Sequence, residues 1–276
     1  MQYKNSLRNK IKLLRKRPLY RLKILLHYLF KREERDPVFI VTTRRSGSNL
    51  LLSFLGSVPE ISFLSEILNP GMYYGVRSHW ISRRSVLRHM IHSINHCRHR
   101  ICGAKLLKIR LEAHRLDLET LKKIFPTAKF ILLYRKALFE QFVSLKIAEK
   151  TDVWLWRDAY PAPQPPPVRI SSVEFEAWSK STRAFYHNLT QKAWLRECSV
   201  TIDYESLSAD PQKVFDEILF PFLGVPSSAV SSSLKKQNTK PLHEVVENFD
   251  ELKNLNGIDQ EYPTQAPYPI PSAEFW

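Results

Sequence analysis

The sequence predicts an α/β protein in three layers, a parallel β-sheet with helices on both faces. Three observations carry that prediction. Apolar runs of strand length recur along the chain, segments that read as helices alternate with them, and the first run passes through a polar loop directly into a helix. The 276 residues suit one large domain, and no linker divides them. With 43% hydrophobic and 25% charged residues, the composition is that of a globular protein with a sizeable core.

Residues 1–36 form a basic amphipathic extension ahead of the domain. Residues 1–35 hold twelve Lys or Arg against Glu33 and Glu34, and so account for most of the net charge of +15. Leu13, Leu14, Leu22, Leu25, Leu26 and Leu29 alternate with these cations, interrupted by Pro18. Such a segment packs on its own domain, lies on an anionic membrane or binds a polyanion. Peripheral membrane contact ranks above nucleic acid among the external partners.

The domain spans 37–259. Pro37 opens the run Val38-Phe39-Ile40-Val41, expected as a buried parallel strand, and Leu50 to Leu55 reads as the helix after it. Ile101 to Leu107 is the next strand. Asp117 is placed to cap a helix over Leu118, Leu121, Ile124 and Phe125. Lys129 to Tyr134 is the clearest strand, with a helix from Ala137 to Glu149 behind it. Five prolines in 157–170 forbid regular helix there and favour an extended loop or lid. A long helix is expected from Ser172 to Arg196, a strand from Ser199 to Asp203, and a helix from Pro211 to Phe222 closed by Gly224. Residues 260–276 form a proline-rich tail.

Cys97, Cys102 and Cys198 are too few and too irregular for a disulfide framework or a zinc site. No apolar run reaches the ~18 residues of a membrane span, and the start lacks the pattern of a secretory signal. The expected location is cytoplasmic, extending to the inner membrane surface. Homodimerisation is left open.

Behind the first strand stands Thr42-Thr43-Arg44-Arg45-Ser46-Gly47-Ser48-Asn49. Tetrahedral oxyanions bind where backbone N–H groups converge at a helix N-terminus. Gly47 allows close approach, Ser46 and Ser48 add hydroxyl donors, and Arg44 and Arg45 add charge. A nucleoside triphosphatase loop would read G-x-x-x-x-G-K-[ST]. Here the cation precedes the glycine, so this is an oxyanion cradle of another kind.

At these residues the sequence resembles the sulfotransferase family, in which a Lys or Arg followed by Ser-Gly-Ser/Thr-Thr/Asn ends the first strand. The resemblance implies the P-loop-like sulfotransferase fold and 3′-phosphoadenosine-5′-phosphosulfate (PAPS) as co-substrate, with no metal. It implies that Arg45 stabilises charge on the departing bisphosphate. Many relatives carry proline in place of Arg44. Arg135 at the end of a strand and Ser144 in the following helix suit the donor's 3′-phosphate. The stretch from Arg135 to Gln141-Phe142-Val143-Ser144 resembles the bacterial branch typified by trehalose 2-sulfotransferase. Gly103-Ala104-Lys105-Leu106, Lys150 to Trp154 and Asp203 to Leu207 are similar to that branch too, and the resemblance covers roughly 37–250.

The same branch implies Glu66 as the base that takes the acceptor's proton. His79, His92, His96 and His114 are the alternative candidates, and nothing in their spacing selects one. His92 and His96, four apart, read as exposed helix residues rather than metal ligands. Tyr73, Tyr74, Trp80, Trp154 and Trp156 flank the expected acceptor side, and Lys235, Lys236 and Lys240 lie where relatives close over the donor. The expected acceptor is a hydroxyl of a carbohydrate, glycolipid or other small molecule. The competing readings are a P-loop kinase-like nucleotide-binding protein and a non-catalytic basic adaptor for membrane or polyanion.

Overall fold

The computed structural model describes residues 35–72, 75–76, 82–155, 166–234 and 240–252. Residues 1–34 of the predicted extension, the C-terminal tail, most of the proline-rich loop, Tyr73, Tyr74, His79, Trp80, Trp156, Lys235 and Lys236 lie outside the described residues.

Five parallel strands form one sheet in the order β2-β3-β1-β4-β5. They are β1 (Asp36–Thr42), β2 (Ile61–Phe63), β3 (Ile101–Leu107), β4 (Lys129–Tyr134) and β5 (Ser199–Asp203). Every neighbouring pair runs parallel, with Val41 of β1 opposite Leu106 on one side and Leu132 on the other. All seven residues of β3 are buried, as expected of a strand covered on both faces.

The helices follow from their own signals. Gly47 precedes α1 (Ser48–Leu55), and Ser82 caps α2 (Arg83–Asn95) by accepting from the Ser85 amide. β3 runs directly into α3 (Lys108–Ala113). Asp117 caps α4 (Leu118–Ile124) as predicted, its side chain accepting from Thr120 N at 2.6 Å. α5 (Leu138–Thr151) follows β4. The predicted helix from Ser172 to Arg196 is two: α6 (Ser172–Thr190) stops at Gln191, and α7 (Ala193–Arg196) redirects the chain into β5. α8 (Tyr204–Ala209) leads to α9 (Pro211–Val214), a π-helical turn at Phe215–Leu219, and α10 (Phe220–Leu223). Gly224 ends the run in the left-handed conformation, as the sequence indicates. Two short turns, α11 (Leu242–Val245) and α12 (Phe249–Leu252), close the described chain.

Strand alternation sorts the core onto two faces. Phe39, Val41, Ala104, Leu106, Phe130 and Leu132 pack with residues of α2, α4 and α6. Val38, Ile40, Ile131, Leu133 and Ile202 pack with α1, α9 and α10. On β3 the second face is shared by Ile101, Gly103 and Lys105, and its closeness to β1 leaves no room at Gly103: an added Cβ would meet Val38 O at 1.9 Å. His92 and His96 are half-buried rather than exposed, because α2 lays that side against the domain. Their ring centroids lie 4.1 Å apart, and burial first, then the neighbouring histidines, pushes His92 down to about 4.

Candidate active site

The loop between β1 and α1 is locked from beneath. Thr42 Oγ1 donates to Leu133 O at 2.7 Å, and Tyr186 Oη, which accepts from Thr43 N at 3.2 Å, donates to the same carbonyl at 2.7 Å. Gln141 Nε2 donates to Thr43 Oγ1 and to Arg44 O. Ser46 is fully buried, and its hydroxyl bonds Thr42 Oγ1 and donates to Thr43 O. Ser46 therefore braces the loop, and the hydroxyl expected to face an anion faces inward.

Above this base the backbone takes positive φ at Arg45 (62°) and again at Gly47 (86°). Alternation of this kind turns successive N–H groups toward one concavity, beside the unsatisfied first-turn amides of α1. Gly47 is required twice. Its φ is one that side-chain-bearing residues rarely adopt, and a Cβ would come within 2.2 Å of Tyr204 Cδ2.

A cleft of about 1020 Å³ opens over the loop, lined on that side by Arg44, Arg45, Ser48, Asn49, Arg135 and Ser144. Arg45 Nε donates to Ser144 Oγ at 3.0 Å and Nη1 to Trp154 O at 2.8 Å. Burial, and then the charge of Arg135, pushes the Arg45 guanidinium down to about 10, so it is still a cation at neutral pH. Arg44 turns aside to Glu149 at 3.1 Å. Ser144, expected beside Arg135, is hydrogen-bonded to Arg45.

Arg135 is held differently. Its guanidinium lies over the Tyr204 ring, 4.7 Å from the centroid, with Nη2 at 2.6 Å from Glu140 and Nε at 3.8 Å from Glu205. Glu205 also accepts from the amides of Lys136 and Ala137, which fixes the turn out of β4. Tyr204 thus touches both cation-bearing loops.

Glu66 reaches the cleft from the chain beyond β2. Leu64 N donates to Gly103 O and Lys105 N to Ser65 O, each at 2.8 Å, so the segment follows β3 until Ser65, at φ 59°, turns it. The Glu66 carboxylate then meets Lys105 Nζ at 2.9 Å and accepts from Asn69 Nδ2 at 2.7 Å. Lys105 also donates to Asn49 Oδ1 at 2.6 Å and is 2% exposed. One buried ammonium thus joins the anion loop to the candidate base. Burial pushes the Glu66 carboxyl up, and Lys105, Asn69 and Arg110 more than reverse it, leaving the carboxyl below its ordinary range. Burial is the larger influence on Lys105, whose ammonium is held below its usual range despite Glu66.

Lys105, Tyr204, Gln141 and Tyr186 were assigned no role from the sequence. Strand alternation could have found Lys105, the one cation in an otherwise apolar run. His114 is drawn away from the cleft to Leu68 O, and its Nε2 lies 3.1 Å from that oxygen.

Residues 37–229 match the family described as "Sulfotransferase family". Nodulation protein H of Rhizobium meliloti is 27% identical over 231 residues, spanning 79% of this chain and 90% of that protein. The protein of the same name in strain 1021 is 26% identical over 232 residues, with the same coverage. Among solved structures, a sulfotransferase from Alicyclobacillus acidocaldarius superposes with a TM-score of 0.48 at 15% identity, covering 75% of this chain and 87% of its own. A mouse sulfotransferase complexed with PAP gives 0.45 at 16%, covering 71% and 62%. The family match runs from the first strand past the last, and the chain belongs to the sulfotransferase family, enzymes whose general reaction is sulfuryl transfer.

Proposed function

We propose that this enzyme transfers the sulfuryl group of PAPS to a hydroxyl of a carbohydrate, glycolipid or other small acceptor. The observation that carries the reading is the contact through Lys105 between the anion loop and Glu66, which sets a nucleophile-activating carboxylate beside a donor cradle. The loop amides, Arg45, Ser48 and Asn49 hold the 5′-phosphosulfate, and Arg135 with Ser144 serves the end that bears the 3′-phosphate. Glu66 accepts the hydroxyl proton as the acceptor oxygen bonds to sulfur. The bond from sulfur to the phosphate oxygen breaks, and adenosine 3′,5′-bisphosphate (PAP) leaves with its new charge facing Arg45. A carboxyl held below its ordinary range is ionised at neutral pH, the state a base requires.

Glu66→Gln tests the assignment. The expected result is a fall in kcat of ~10²–10⁴-fold, the usual worth of a general base, with PAP binding retained; unchanged turnover removes Glu66 from the role. The charge of residues 1–35 supports a further reading, that the extension holds the enzyme at an anionic membrane surface. Co-sedimentation with phosphatidylserine vesicles is expected for the full chain and not after deletion of 1–35.

A further inference from the structure

Beyond Glu66 the cleft holds a cation that this reaction scheme does not use. Arg110 stands on α3 and lines the same cleft. Its place relative to the donor loop can be followed bond by bond. Lys105 donates to Asn49 and pairs with one oxygen of Glu66; Asn69 donates to the other oxygen; Asn69 Oδ1 accepts from Arg110 Nη2 at 3.4 Å. Arg110 ends a series that begins at the anion loop, with Glu66 in between, and so belongs to the acceptor half.

Its guanidinium is poorly satisfied there. The bond to Asn69 is at the outer limit of hydrogen-bond length, and among the described residues Nε is buried without a hydrogen-bond partner. Carboxylates pair with several neighbouring cations: Arg44 with Glu149, Lys108 with Glu112, and Arg135, whose Nε is also buried without a hydrogen bond, with Glu140 and Glu205. A buried polar nitrogen that lacks a partner is costly, and a guanidinium presents a planar fork of donors that matches a carboxylate, phosphate or sulfate. Leu107, Ile109 and Leu155 line the cleft nearby, and two of them are unusually open for apolar residues, Ile109 at 45% and Leu155 at 47%. Apolar walls beside a guanidinium that no carboxylate pairs with among the described residues describe a pocket that takes an anion on an otherwise uncharged body.

We infer that Arg110 binds an anionic group on the acceptor, so the acceptor is a hydroxyl compound carrying a carboxylate, phosphate or sulfate close to the hydroxyl that is sulfated. The inference rests on the sulfuryl-transfer reading above. Arg110 sets specificity: with the anion on Arg110, the hydroxyl presented to Glu66 is the one at the matching distance.

The test uses the full chain with PAPS and acceptors in matched pairs, glucose against glucuronate and glucose against glucose 6-phosphate. KM and kcat are measured for each, and each is also titrated calorimetrically into enzyme saturated with PAP. The anionic member is expected to have a KM and Kd about tenfold to a hundredfold lower, the worth of a charge-assisted pair. Arg110→Met should remove that gap and Arg110→Lys keep part of it, with PAP affinity retained in both as evidence of a folded donor site. The inference is overturned by equal affinity for both members, by binding of neither, by a gap that survives in Arg110→Met, or by equal losses for both, which would mark Arg110 as a positioning residue for Glu66. Failure of the unaltered protein to bind PAP would be a different result, sinking the transfer reading and this inference with it.

Discussion

Arg45 and Arg135, two of the cations that line the cleft, are held in different ways. Arg45 is half-buried, donates to the Ser144 hydroxyl and the Trp154 carbonyl, and is pushed down to about 10 by burial and by Arg135. Arg135 is more enclosed, at 7% exposed, and Glu140 and Glu205 sit against it with Tyr204 beneath. A phosphate approaching Arg135 must displace or share with a carboxylate, since Glu140 lies 2.6 Å from its Nη2. In the proposed binding mode this makes the 3′ end selective, since only a group of high charge outcompetes Glu140.

Gly47→Ala is expected to break both sites together, because the added Cβ meets the Tyr204 ring that supports Arg135, and the left-handed φ is lost as well. PAP affinity should fall by more than a hundredfold in calorimetry, the combined effect of a ~1–3 kcal/mol conformational cost and a displaced ring. Arg45→Ala and Arg135→Ala should each cost at least about tenfold in PAP affinity, as expected for a charged hydrogen-bonding partner; unchanged affinity in either variant would remove that cation from donor binding. Glu140→Gln should tighten PAP several-fold while leaving adenosine 5′-phosphate unaffected. A variant that binds both ligands better would show that the carboxylate acts on the whole cleft. The smallest effect concerns pH. The Glu66 carboxyl is depressed in the folded state, so its pairing stabilises the protein above the unfolded-state pKa, and that stability is lost as pH falls through the folded value. Thermal melts of Glu66→Gln should therefore depend less on pH in the acid range than those of the unaltered chain.

The parts legible in the sequence are those written in local signals. The apolar run of β1 with its glycine loop, the Asp117 cap and the Gly224 stop all state their structure within a few residues. β2 is three residues long and carries no period, and its place beside β3 rests on backbone bonds to Gly103 that no composition announces. The break after Thr190 is a matter of chain direction: α7 must deliver Cys198 to β4, where its carbonyl accepts from Phe130. Of the site, the loop, Glu66 and Arg135 could be named in advance, and all line one cleft. The Lys105 pairing could not, because Glu66 lies 39 residues earlier in the chain and only folding brings the two to 2.9 Å. Glu140, named only as part of a stretch, became visible as a competitor once its distance to Arg135 was known.

The shared ammonium of Lys105 has a consequence for the order of events. It lies within hydrogen-bond reach of both Asn49 in the donor cradle and Glu66. Negative charge arriving at the cradle draws on the same ammonium that keeps Glu66 acidic, and by Coulomb's law a partner shared between two anions holds each less firmly. In the proposed mechanism a filled cradle would make Glu66 the better proton acceptor and an empty one would leave it quiet, a safeguard against deprotonating an acceptor before there is a sulfuryl group to receive it.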